Sequence, residues 1–414
     1  MIAWLSKEVF MEKEKQGMKL WKKLAIIISS AILTIVAVIG LTIYGIWHNE
    51  IATVMSIKEI RERNDEHLDG SVYEMNVSGG FYLEDFIKQG GVKSDSELIS
   101  FITSNITKGL IPINMTPPEI GCASFTAGLE DGDKIFARNY DFSKTNTMIV
   151  RTNGGKNRYK TISVTDLQFL GIDPDKGING MMDKITSIAA AYTPLDGINE
   201  MGLAVGIYMT YQGEKTVATN QNTAKPDITS TTMLRLMLDY AKNIDEAIEI
   251  AKYFDLHDSA NTSYHYMVAD ASGRSAILEW VGESDILDND GAKRELKVIY
   301  NDDDSNIGVR EGKASFQWIT NFIVLPDYYE SDSKKPGLDR YDEIYNRLNE
   351  SNGILGSEND AMEILKAVGR RSWNNDDNNG CTVHSVIYNL TERKMLFVSN
   401  ENFNDPSAIF ELGF

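Results

Sequence analysis

The chain has 414 residues, 42% of them hydrophobic, and its formal net charge is −19 at pH 7. This length and composition allow one large core or two modest ones, which excludes a disordered protein. Binding to nucleic acid depends on clustered Lys and Arg, so the acidic balance excludes nucleic acid as a partner. The chain has only two cysteines, which excludes a dense disulfide framework but leaves a single bridge open.

Near the N-terminus, residues 24–47 are 24 consecutive positions without a charge. At about 1.5 Å per residue, such a helix spans a hydrocarbon layer of roughly 30 Å with some tilt. A signal peptide is the alternative, but the stretch is long and no small-residue cleavage site follows it near His48. Six lysines and three glutamates precede it, and clustered lysines place that end in the cytoplasm. We therefore expect a cytoplasmic segment 1–23, a single-pass anchor 24–47 in the cell membrane, and the acidic remainder outside.

The following segment, residues 48–121, is polar and in part heavily charged, and we expect a helical extracytoplasmic stalk or propeptide. A short helix is predicted at 94–106, with the serine or the aspartate at its start as the cap. Pro117 and Pro118 end the segment, because a proline cannot donate a backbone hydrogen bond and restricts the residue before it.

After Gly121 the pattern changes to short strands bounded by turn residues. Strands are predicted at 122–129, 134–140, 185–192, 203–211, 264–269, 276–281, 383–390 and 395–399. Helices are predicted at 231–241, at 245–253 with Asp245 as cap, at 340–349 and at 360–368. Antiparallel strands with helices in separate blocks indicate an α+β fold, a layered sandwich, in a domain that covers 122–414.

A hairpin signal lies at 130–133, where Glu-Asp-Gly-Asp separates the first two of these strands. If Asp131 and Gly132 occupy the central positions of a two-residue turn, Cys122 lies directly across from Asp141. Side chains opposed in this way lie about 4.5–5.5 Å apart at Cβ. The sequence therefore predicts a carboxylate beside the Cys122 thiol.

Arg138 lies three residues before Asp141 and would face the other side of a regular strand. We therefore predict a bulge or bend near Asn139 that brings Arg138 to the same site. There the guanidinium would pair with Asp141 and lower the pKa of Cys122, as a nucleophilic cysteine requires. A surface ion pair of little energetic value is the alternative interpretation.

A base for the thiol is the missing component. None of the five histidines lies in a recognised cysteine–histidine protease context, although His265 and His384 on predicted strands stay open as candidates. A cysteine can instead use its own α-amine, provided that the chain is cut just before it. Gly121, directly before Cys122, suits such a cut.

Gly-Cys-Ala-Ser-Phe at 121–125 and Phe-Ala-Arg-Asn-Tyr-Asp-Phe at 136–142 resemble the choloylglycine hydrolase, or linear amide C–N hydrolase, family of N-terminal nucleophile enzymes. The likeness continues through Gly-Ile-Asn-Glu-Met-Gly-Leu at 197–203 and covers 122–414. Members include bile salt hydrolases, penicillin V acylases and, more distantly, N-acylethanolamine acid amidases. The resemblance implies a four-layer αββα fold, removal of a leader by self-cleavage, and no metal or organic cofactor.

The resemblance also implies roles for single residues. Cys122 would be the nucleophile and, once freed, the amine base, while Arg138 and Asp141 would orient that amine and tune the thiol. Asn321 resembles the oxyanion-hole asparagine of the family, a contact worth about 2.7–4 kcal/mol of barrier, and Arg340 resembles its second arginine. Asn321 and Arg340 depend on bridging an insertion, because an ungapped match lands on glycine 312 instead.

Further residues are expected to shape the substrate pocket. Asn199 lies in the Asn-Glu-x-Gly-Leu turn and would organise the site. On the strand that follows, bile salt hydrolases carry an asparagine, whereas this chain has Tyr208 and Met209, which weakens a bile salt assignment. With Met181 and Met182 nearby, the acyl pocket would be apolar and adaptable, and a fatty acyl amide would fit it.

Purely structural interpretations stand beside these roles. Asn199 is also what a tight turn requires, and Asn321 could end a strand. Arg340 could be a solvated helix residue, and the two methionines could belong to the core. Cys381 is expected to pack rather than to react.

The expected function is hydrolysis of linear amides, R–CO–NH–R′, by thiol attack, thioester formation and deacylation by water. The favoured substrate is a long-chain N-acyl amide, such as an N-acylethanolamine or an N-acyl amino acid. Penicillin V acylase and bile salt hydrolase activities are the alternatives within enzymes, and a non-catalytic, membrane-tethered binding module is the alternative outside them. A homo-oligomer is compatible with the sequence.

Overall fold

The computed structural model describes residues 2–64, 66–109, 121–303, 316–374 and 380–414. The prolines expected at the end of the stalk and the alternative oxyanion glycine lie outside these residues. The chain divides into two compact units, residues 1–51 and 52–414.

A single long helix, α1 (Ile2–Ser56), contains the whole of the predicted anchor. Its backbone leaves helical geometry only at Trp47, where φ is −121° and ψ is 21°. The helical conformation predicted for 24–47 is confirmed. By length and composition alone, this helix is long and apolar enough to cross a membrane.

In the part of 52–414 that the structure describes, the larger sheet has nine strands. In spatial order they are β1 (Lys58–Arg61), β2 (Val72–Val77), β5 (Thr147–Thr152), β6 (Thr161–Asp166), β7 (Asp196–Asn199), β8 (Ala204–Met209), β11 (Tyr264–Ala269), β12 (Ser275–Val281) and β13 (Glu295–Tyr300). Strand β2 runs parallel to β5, and every other neighbouring pair is antiparallel.

The second sheet carries the predicted hairpin. Its strands are β14 (Trp318–Ile319), β3 (Gly121–Leu129), β4 (Lys134–Phe142), β16 (Cys381–Asn389), β17 (Lys394–Ser399) and β18 (Ile409–Gly413), with β15 (Ile354–Leu355) parallel to β3. A short parallel pair, β9 (Asp227–Thr229) and β10 (Asp255–His257), lies apart from both sheets.

The described helices of the second unit are α2 (Leu83–Lys88), α3 (Asp95–Ile106), α4 (Met181–Ser187), α5 (Ser230–Tyr240), α6 (Ile244–Tyr253), α7 (Leu338–Glu350), α8 (Glu358–Ala367) and α9 (Arg370–Asn374). Helices α5 and α6 pack on the nine-stranded sheet, and α7 and α8 pack on β3, β4 and β16. The main core contains side chains of both sheets and of helices packed on the larger one, and a second core lies under α7 and α8. Both sheets therefore carry packed helices, and the expected α+β class is confirmed.

Two local predictions are wrong. Residues 185–192 form the end of α4 and a 3₁₀ turn (Ile188–Tyr192) rather than a strand. Three consecutive alanines in this stretch favour a helical turn over a pleated strand. Helix α6 is capped by Asn243, which accepts from the Glu246 amide at 3.1 Å, rather than by Asp245, which lies in its first turn.

The helical stalk expected at 48–121 is also wrong for the residues described between 57 and 109. This segment supplies β1 and β2 to the nine-stranded sheet, and its apolar side chains join the main core. The helix predicted at 94–106 does form as α3, with the Ser94 hydroxyl accepting from the Glu97 amide as its cap. The segment is polar overall, but buried and partly buried side chains alternate along β2, and α3 has one apolar face. Both elements need the neighbouring sheet and core to cover these apolar side chains.

Candidate active site

The hairpin formed by β3 and β4 sets the register of the site. Leu129 donates its amide hydrogen to the Asp133 carbonyl at 2.8 Å, so the connection is a three-residue loop. Its last residue, Gly132, has φ +101°, a value that suits glycine in such a loop. The register consequently pairs Cys122 with Tyr140. The predicted two-residue turn is wrong, and so is the carboxylate predicted directly opposite the thiol.

Arg138 and Asp141, three residues apart on a regular strand, lie on opposite faces of the sheet, and this difference of one residue in register decides that Arg138 rather than Asp141 shares the face of Cys122. Arg138 pairs with Ser124 and therefore shares the face of Cys122 without any bulge in β4. The bulge predicted near Asn139 is wrong, because the irregularity lies in the neighbouring strand β16. Asp141 occupies the other face and needs a different partner.

The Cys122 sulfur lies beside a fully buried guanidinium. Arg138 donates through Nη2 to Cys122 Sγ at 3.3 Å and to the Ile207 carbonyl at 2.7 Å. Its Nη1 donates to the Leu195 carbonyl, and the Tyr208 ring lies 4.8 Å from Cζ. These contacts fix the plane of the guanidinium and aim one of its nitrogens at the sulfur.

Behind the guanidinium lies a buried carboxylate. Arg138 Nη1 lies 3.0 Å from Asp196 Oδ2, with both side chains fully buried. His384 Nε2 lies 3.0 Å from Asp196, and Tyr388 donates its hydroxyl to it. Burial alone would raise the pKa of Asp196, but His384 and Arg138 outweigh burial, and the pKa is lowered. The pair predicted between Arg138 and Asp141 is therefore replaced by one with Asp196.

The thiol itself is not pre-ionised in the uncut chain. Burial raises the pKa of Cys122 to about 11, because the lost hydration of a thiolate outweighs the attraction of Arg138. The net direction is opposite to the expected lowering. At neutral pH the protonated thiol predominates.

The Cys122 nitrogen has partners of its own. Its backbone N–H donates to Asn321 Oδ1 at 3.3 Å, and the same oxygen accepts from Arg340 Nη2 at 2.9 Å. Asn321 Nδ2 donates to the Met209 carbonyl at 2.8 Å. An arginine can only donate, so the amide oxygen of Asn321 must face Cys122 and Arg340.

Arg340 links this nitrogen to Asp141. Its Nη1 lies 2.8 Å from Asp141 Oδ2, with the two side chains 13% and 3% exposed. Thr382 donates to the other Asp141 oxygen at 2.7 Å. Three residues predicted for the site, Asp141, Asn321 and Arg340, are thus brought together around the backbone of Cys122 on the face opposite Arg138.

The residue before Cys122 lies close against Asp141. A Cβ atom at Gly121 would lie 3.1 Å from Asp141 Oδ2, closer than nine in ten real Cβ contacts, so a larger residue would require the carboxylate to shift. The carboxylate thus lies against the peptide that precedes the cysteine.

Asn199 lies inside the turn that its motif predicts. Its Nδ2 donates to the carbonyls of Leu238 and Ala241 at 2.9 and 2.7 Å, and its Oδ1 accepts from the amides of Met201 and Leu203. Both ends of the amide are therefore used to join this turn to α5. The structural interpretation is favoured over contact with a substrate.

Tyr208 and Met209, expected at the substrate pocket, are both buried. Tyr208 donates its hydroxyl to Ser124 Oγ at 2.7 Å and covers Arg138 with its ring, which makes it a support for the guanidinium. The Met209 carbonyl accepts a hydrogen bond from Asn321 Nδ2.

Met181 and Met182, on α4, are 63% and 54% exposed, so the core interpretation is wrong for both. Helix α4 packs against the 3₁₀ turn that contains Phe169. The Phe169 ring lies 6.0 Å from that of Phe142, which follows Asp141. The Phe142–Phe169 contact is thus mostly buried, and the two methionines are exposed on the helix packed beside it.

The two histidines left open as bases bond to other residues, and the possible disulfide is not formed. Both ring nitrogens of His265 have partners, Glu279 at 2.9 Å and the Thr320 carbonyl at 3.0 Å. His384 serves Asp196 instead of the sulfur. Cys122 and Cys381 are both free, so the disulfide left open by the sequence is not formed.

The sequence did not single out Asp196, Ser124 or Thr382. Asp196 could have been found, because a carboxylate between the apolar residues Leu195 and Ile198 requires a buried partner. The other two had no signal, since a hydroxyl identifies no partner until the strands are assembled.

Comparison with known proteins matches residues 122–320 to the family model of linear amide C–N hydrolases, choloylglycine hydrolase family. An uncharacterized protein of Paramecium bursaria Chlorella virus 1 is 24% identical over 245 residues, which are 51% of this chain and 82% of that protein.

Two solved structures with a similar course of the chain have low scores. A conjugated bile acid hydrolase from Clostridium perfringens has a TM-score of 0.44 at 14% identity, covering 71% of this chain and 92% of its own. The N-acylethanolamine-hydrolyzing acid amidase ortholog of Caenorhabditis elegans has a TM-score of 0.39 at 17% identity, covering 65% and 93%.

The class of protein follows from the matched region: residues 122–320 belong to the linear amide C–N hydrolases of the choloylglycine hydrolase family. The resemblance drawn from the motifs is confirmed. The protein is a hydrolase that acts on linear amide C–N bonds.

Proposed function

We propose that this protein is a membrane-anchored cysteine amidohydrolase in which Cys122 supplies both the nucleophile and, after cleavage at Gly121, the base. One observation carries the proposal. The sulfur of Cys122 lies 3.3 Å from Arg138 Nη2, while its nitrogen lies 3.3 Å from Asn321 Oδ1. The two reactive groups of one residue are thus each held by separate partners.

Cleavage of the chain comes first. The Cys122 sulfur attacks the Gly121 carbonyl carbon, the C–N bond breaks, and the nitrogen leaves as the α-amine with the thiol proton. Water then adds to the thioester, the C–S bond breaks, and the thiol is restored. The products are a Gly121 carboxylate and a free Cys122 N-terminus, with one water consumed.

Substrate hydrolysis repeats the same chemistry. The α-amine takes the thiol proton, the sulfur attacks the acyl carbon of R–CO–NH–R′, and the ammonium gives the proton to the departing amine. The amine then deprotonates the water that splits the thioester to R–COO⁻. An α-amine has an ordinary pKa of about 7.7–8.0, which suits a base near neutral pH.

Asp141, Arg340 and Asn321 serve the new amine. Asn321 Oδ1 accepts from the nitrogen and Arg340 holds that oxygen in place, while Asp141 lies against residue 121 and stabilises the protonated amine. An amide nitrogen carries two hydrogens, and the Met209 carbonyl uses one of those on Asn321. The second donates to the oxyanion of the tetrahedral intermediate.

The substrate is an N-acyl amide with a long apolar acyl chain, such as an N-acylethanolamine or an N-acyl amino acid. The support is the apolar contact between Phe142 and Phe169 beside Asp141, together with Met181 and Met182, which are exposed on the neighbouring helix α4. Methionine side chains adapt to flexible alkyl chains.

Residues 24–47 anchor the hydrolase in the cell membrane, with 1–23 in the cytoplasm and residues 122–414 as the extracytoplasmic catalytic chain. The support is the long apolar helix α1 and the lysines that precede the apolar stretch. Residues 48–121 form the propeptide.

N-terminal sequencing and substrate profiling of the membrane-extracted protein test this function. We expect a chain that starts at Cys122 and that hydrolyses an oleoyl amide faster than taurocholate or penicillin V. The Cys122→Ala variant should be uncut and inactive. Preferred hydrolysis of taurocholate or penicillin V would overturn the substrate, and an uncut but active chain would overturn the mechanism.

A further inference from the structure

Asn321 lies outside the regular strands. Strand β14 ends at Ile319, and helix α7, which carries Arg340, begins only at Leu338. A side chain that donates to an oxyanion must be held within about 0.5 Å of its working position by neighbours that are themselves locked. The contacts of the segment around Asn321 therefore decide how well this amide can serve the reaction.

Thr320, directly before Asn321, is bonded through both of its oxygens. Its carbonyl belongs to the peptide plane shared with Asn321 and accepts from His265 Nε2 at 3.0 Å. Its hydroxyl donates to the carbonyl of Gly337 at 3.1 Å, and Gly337 is the residue that precedes α7. One residue thus links the peptide plane of Asn321 to the start of the helix that presents Arg340.

The histidine that holds Thr320 belongs to a buried ion pair. His265 on β11 lies directly opposite Glu279 on β12, with Nδ1 2.9 Å from Oε1 and both side chains 0% exposed. The Thr320 carbonyl can only accept, so Nε2 carries a hydrogen. The two oxygens of Glu279 already accept from the amides of Val324 and Leu325, at 2.8 and 3.0 Å. Nδ1 therefore faces an acceptor as well, and the ring is the doubly protonated imidazolium.

The same pair holds the segment on both sides of Asn321. The imidazolium bonds to the carbonyl directly before Asn321, and the carboxylate bonds to the amides of Val324 and Leu325 after it. Hydrogen bonds to a charged group are about twice as strong as those between neutral groups. Between these contacts, the Asn321 carbonyl accepts from the Tyr211 amide at 2.9 Å. The segment cannot shift without breaking charge-assisted bonds inside the core.

We propose that His265 and Glu279 are positioning residues for the reaction. Through Thr320 they align Asn321 with the oxyanion, and through α7 they align Arg340. This inference rests on the proposed function, because it takes Asn321 as the oxyanion donor. Stability alone does not require an ion pair here, since a buried pair has a desolvation cost that apolar side chains of similar volume avoid. The pair supplies a directed bond to the Thr320 carbonyl, which apolar packing cannot.

Two substitutions at His265 separate its bond to Thr320 from its bond to Glu279. The amide of His265→Gln reaches the position of Nε2 and still donates to the Thr320 carbonyl, whereas the amide of His265→Asn replaces only Nδ1. The values of kcat and KM are measured on whichever of an oleoyl amide, taurocholate and penicillin V the wild type hydrolyses best. We expect kcat to fall by about 10–100-fold in His265→Asn and by at most about threefold in His265→Gln, with KM little changed in either.

Denaturant midpoints distinguish positioning from stability. They are measured for both variants and for the control His257→Asn, which breaks a histidine–aspartate pair at 2.7 Å away from the site. We expect His257→Asn to lower the midpoint and to keep the wild-type kcat. Equal losses of kcat in His265→Asn and His265→Gln, or losses that follow the midpoints through all three proteins, would overturn the inference.

Thr320→Val examines the link to α7 and does not depend on the folding of the His265 variants. It keeps the carbonyl and removes only the hydroxyl bond to Gly337. We expect kcat to fall by about fivefold, which corresponds to one neutral hydrogen bond, with KM retained. An unchanged kcat would overturn the link between the buried pair and Arg340.

Crystal structures of the full-length variants separate this inference from the proposed function. A wild type that stays uncut, or that hydrolyses none of the three substrates, refutes the proposed function and leaves the positions of the atoms as the test. The distance from Asn321 Oδ1 to the nitrogen of residue 122, 3.3 Å in the wild type, should lengthen in His265→Asn and stay the same in His265→Gln. An unchanged distance in both variants would overturn the inference.

Discussion

The two faces of the hairpin formed by β3 and β4 each carry one arginine–aspartate pair, and the two pairs lie in different surroundings. The sulfur-side pair joins Arg138 to Asp196 at 3.0 Å with both side chains 0% exposed. The nitrogen-side pair joins Arg340 to Asp141 at 2.8 Å with side chains 13% and 3% exposed. One arginine–aspartate pair is therefore fully buried in the core, whereas the other is partly exposed at the edge of the candidate site.

This difference matches what each reactive group needs. The sulfur needs a fixed donor, and Arg138 is locked by carbonyls, the Tyr208 ring and Asp196. In the proposed mechanism the nitrogen becomes a free amine that exchanges protons with substrate and water, and its partners lie nearer to solvent than those of the sulfur. A buried charge is tolerated only with a partner, and a working base must be reachable.

Removing Cys122, where the two faces meet, should have the largest effect. Cys122→Ala is expected to abolish both self-cleavage and amide hydrolysis, since no other thiol contacts Arg138 among the described residues. Intact mass and product formation are the measurements. Cys381→Ala, at the other buried free cysteine, is the matched control and should be cut and active. Residual cleavage before residue 122 in the alanine variant would contradict the proposed nucleophile.

Next in size is the loss of the buried carboxylate. Asp196→Asn leaves the Arg138 charge without its counter-ion, and we expect a loss of about 3–5 kcal/mol in the free energy of unfolding. The pKa of Cys122 should fall in this variant, because a negative charge near the thiol has gone. Denaturant titration and the pH dependence of thiol alkylation measure the two effects. Asp175→Asn removes an aspartate that is 73% exposed and paired with Lys144; it should cost at most about 0.5 kcal/mol and serves as control.

On the nitrogen side, Arg340→Gln should reduce activity more than stability. We expect amide hydrolysis to fall by about 10–100-fold because the Asn321 oxygen loses its support, with a stability loss of about 1–2 kcal/mol. Steady-state kinetics and denaturant titration decide this. Arg347→Gln, an exposed pair on the same helix, should leave both unchanged. If Arg340→Gln destabilises the protein as strongly as Asp196→Asn, the contrast between the two faces fails.

The raised pKa of the thiol predicts the pH dependence of self-cleavage. The thiolate is the nucleophile, and below a pKa of about 11 its fraction grows by about tenfold per pH unit. Chain made by cell-free translation should therefore cut itself faster as the pH rises from about 6 to 9, by up to about tenfold per unit. The cut fraction is followed over time on denaturing gels. A rate that stays flat or falls over this range would mean that the thiol is already ionised.

The smallest effect is expected at the outer support of Arg138. Tyr208→Phe keeps the ring over the guanidinium and loses only the hydrogen bond to Ser124, so stability should fall by about 1 kcal/mol and activity should change little. Ser124→Ala leaves a buried tyrosine hydroxyl unpaired and should cost about 1–3 kcal/mol. Thermal or denaturant unfolding measures the stability loss of Tyr208→Phe and of Ser124→Ala. The reverse order would show that the hydroxyl has another partner.

Much of this site could be predicted from the chain alone, but not its pairing. The spacing of Cys122, Arg138 and Asp141 identified the family, while a hairpin loop longer by one residue exchanged the faces of the two charged residues. The partner of each then came from a distant strand or helix, Asp196 for Arg138 and Arg340 for Asp141. Such pairs cannot be predicted from the sequence, because the residues are far apart in the chain and nothing near either one indicates its partner.

The sequence by itself determined the long apolar helix, the β3–β4 hairpin, the α+β class and the family of linear amide hydrolases, since each depends on local composition or on a short, specific motif. Tertiary structure decided the register at Cys122, the net pKa of its thiol, the burial of Tyr208, and the entry of residues 52–109 into the catalytic sheet. The physical reason is that burial and charge compensation are properties of the assembled layers. A residue meets its counter-ion and loses its hydration only when strands far apart in the chain are brought together.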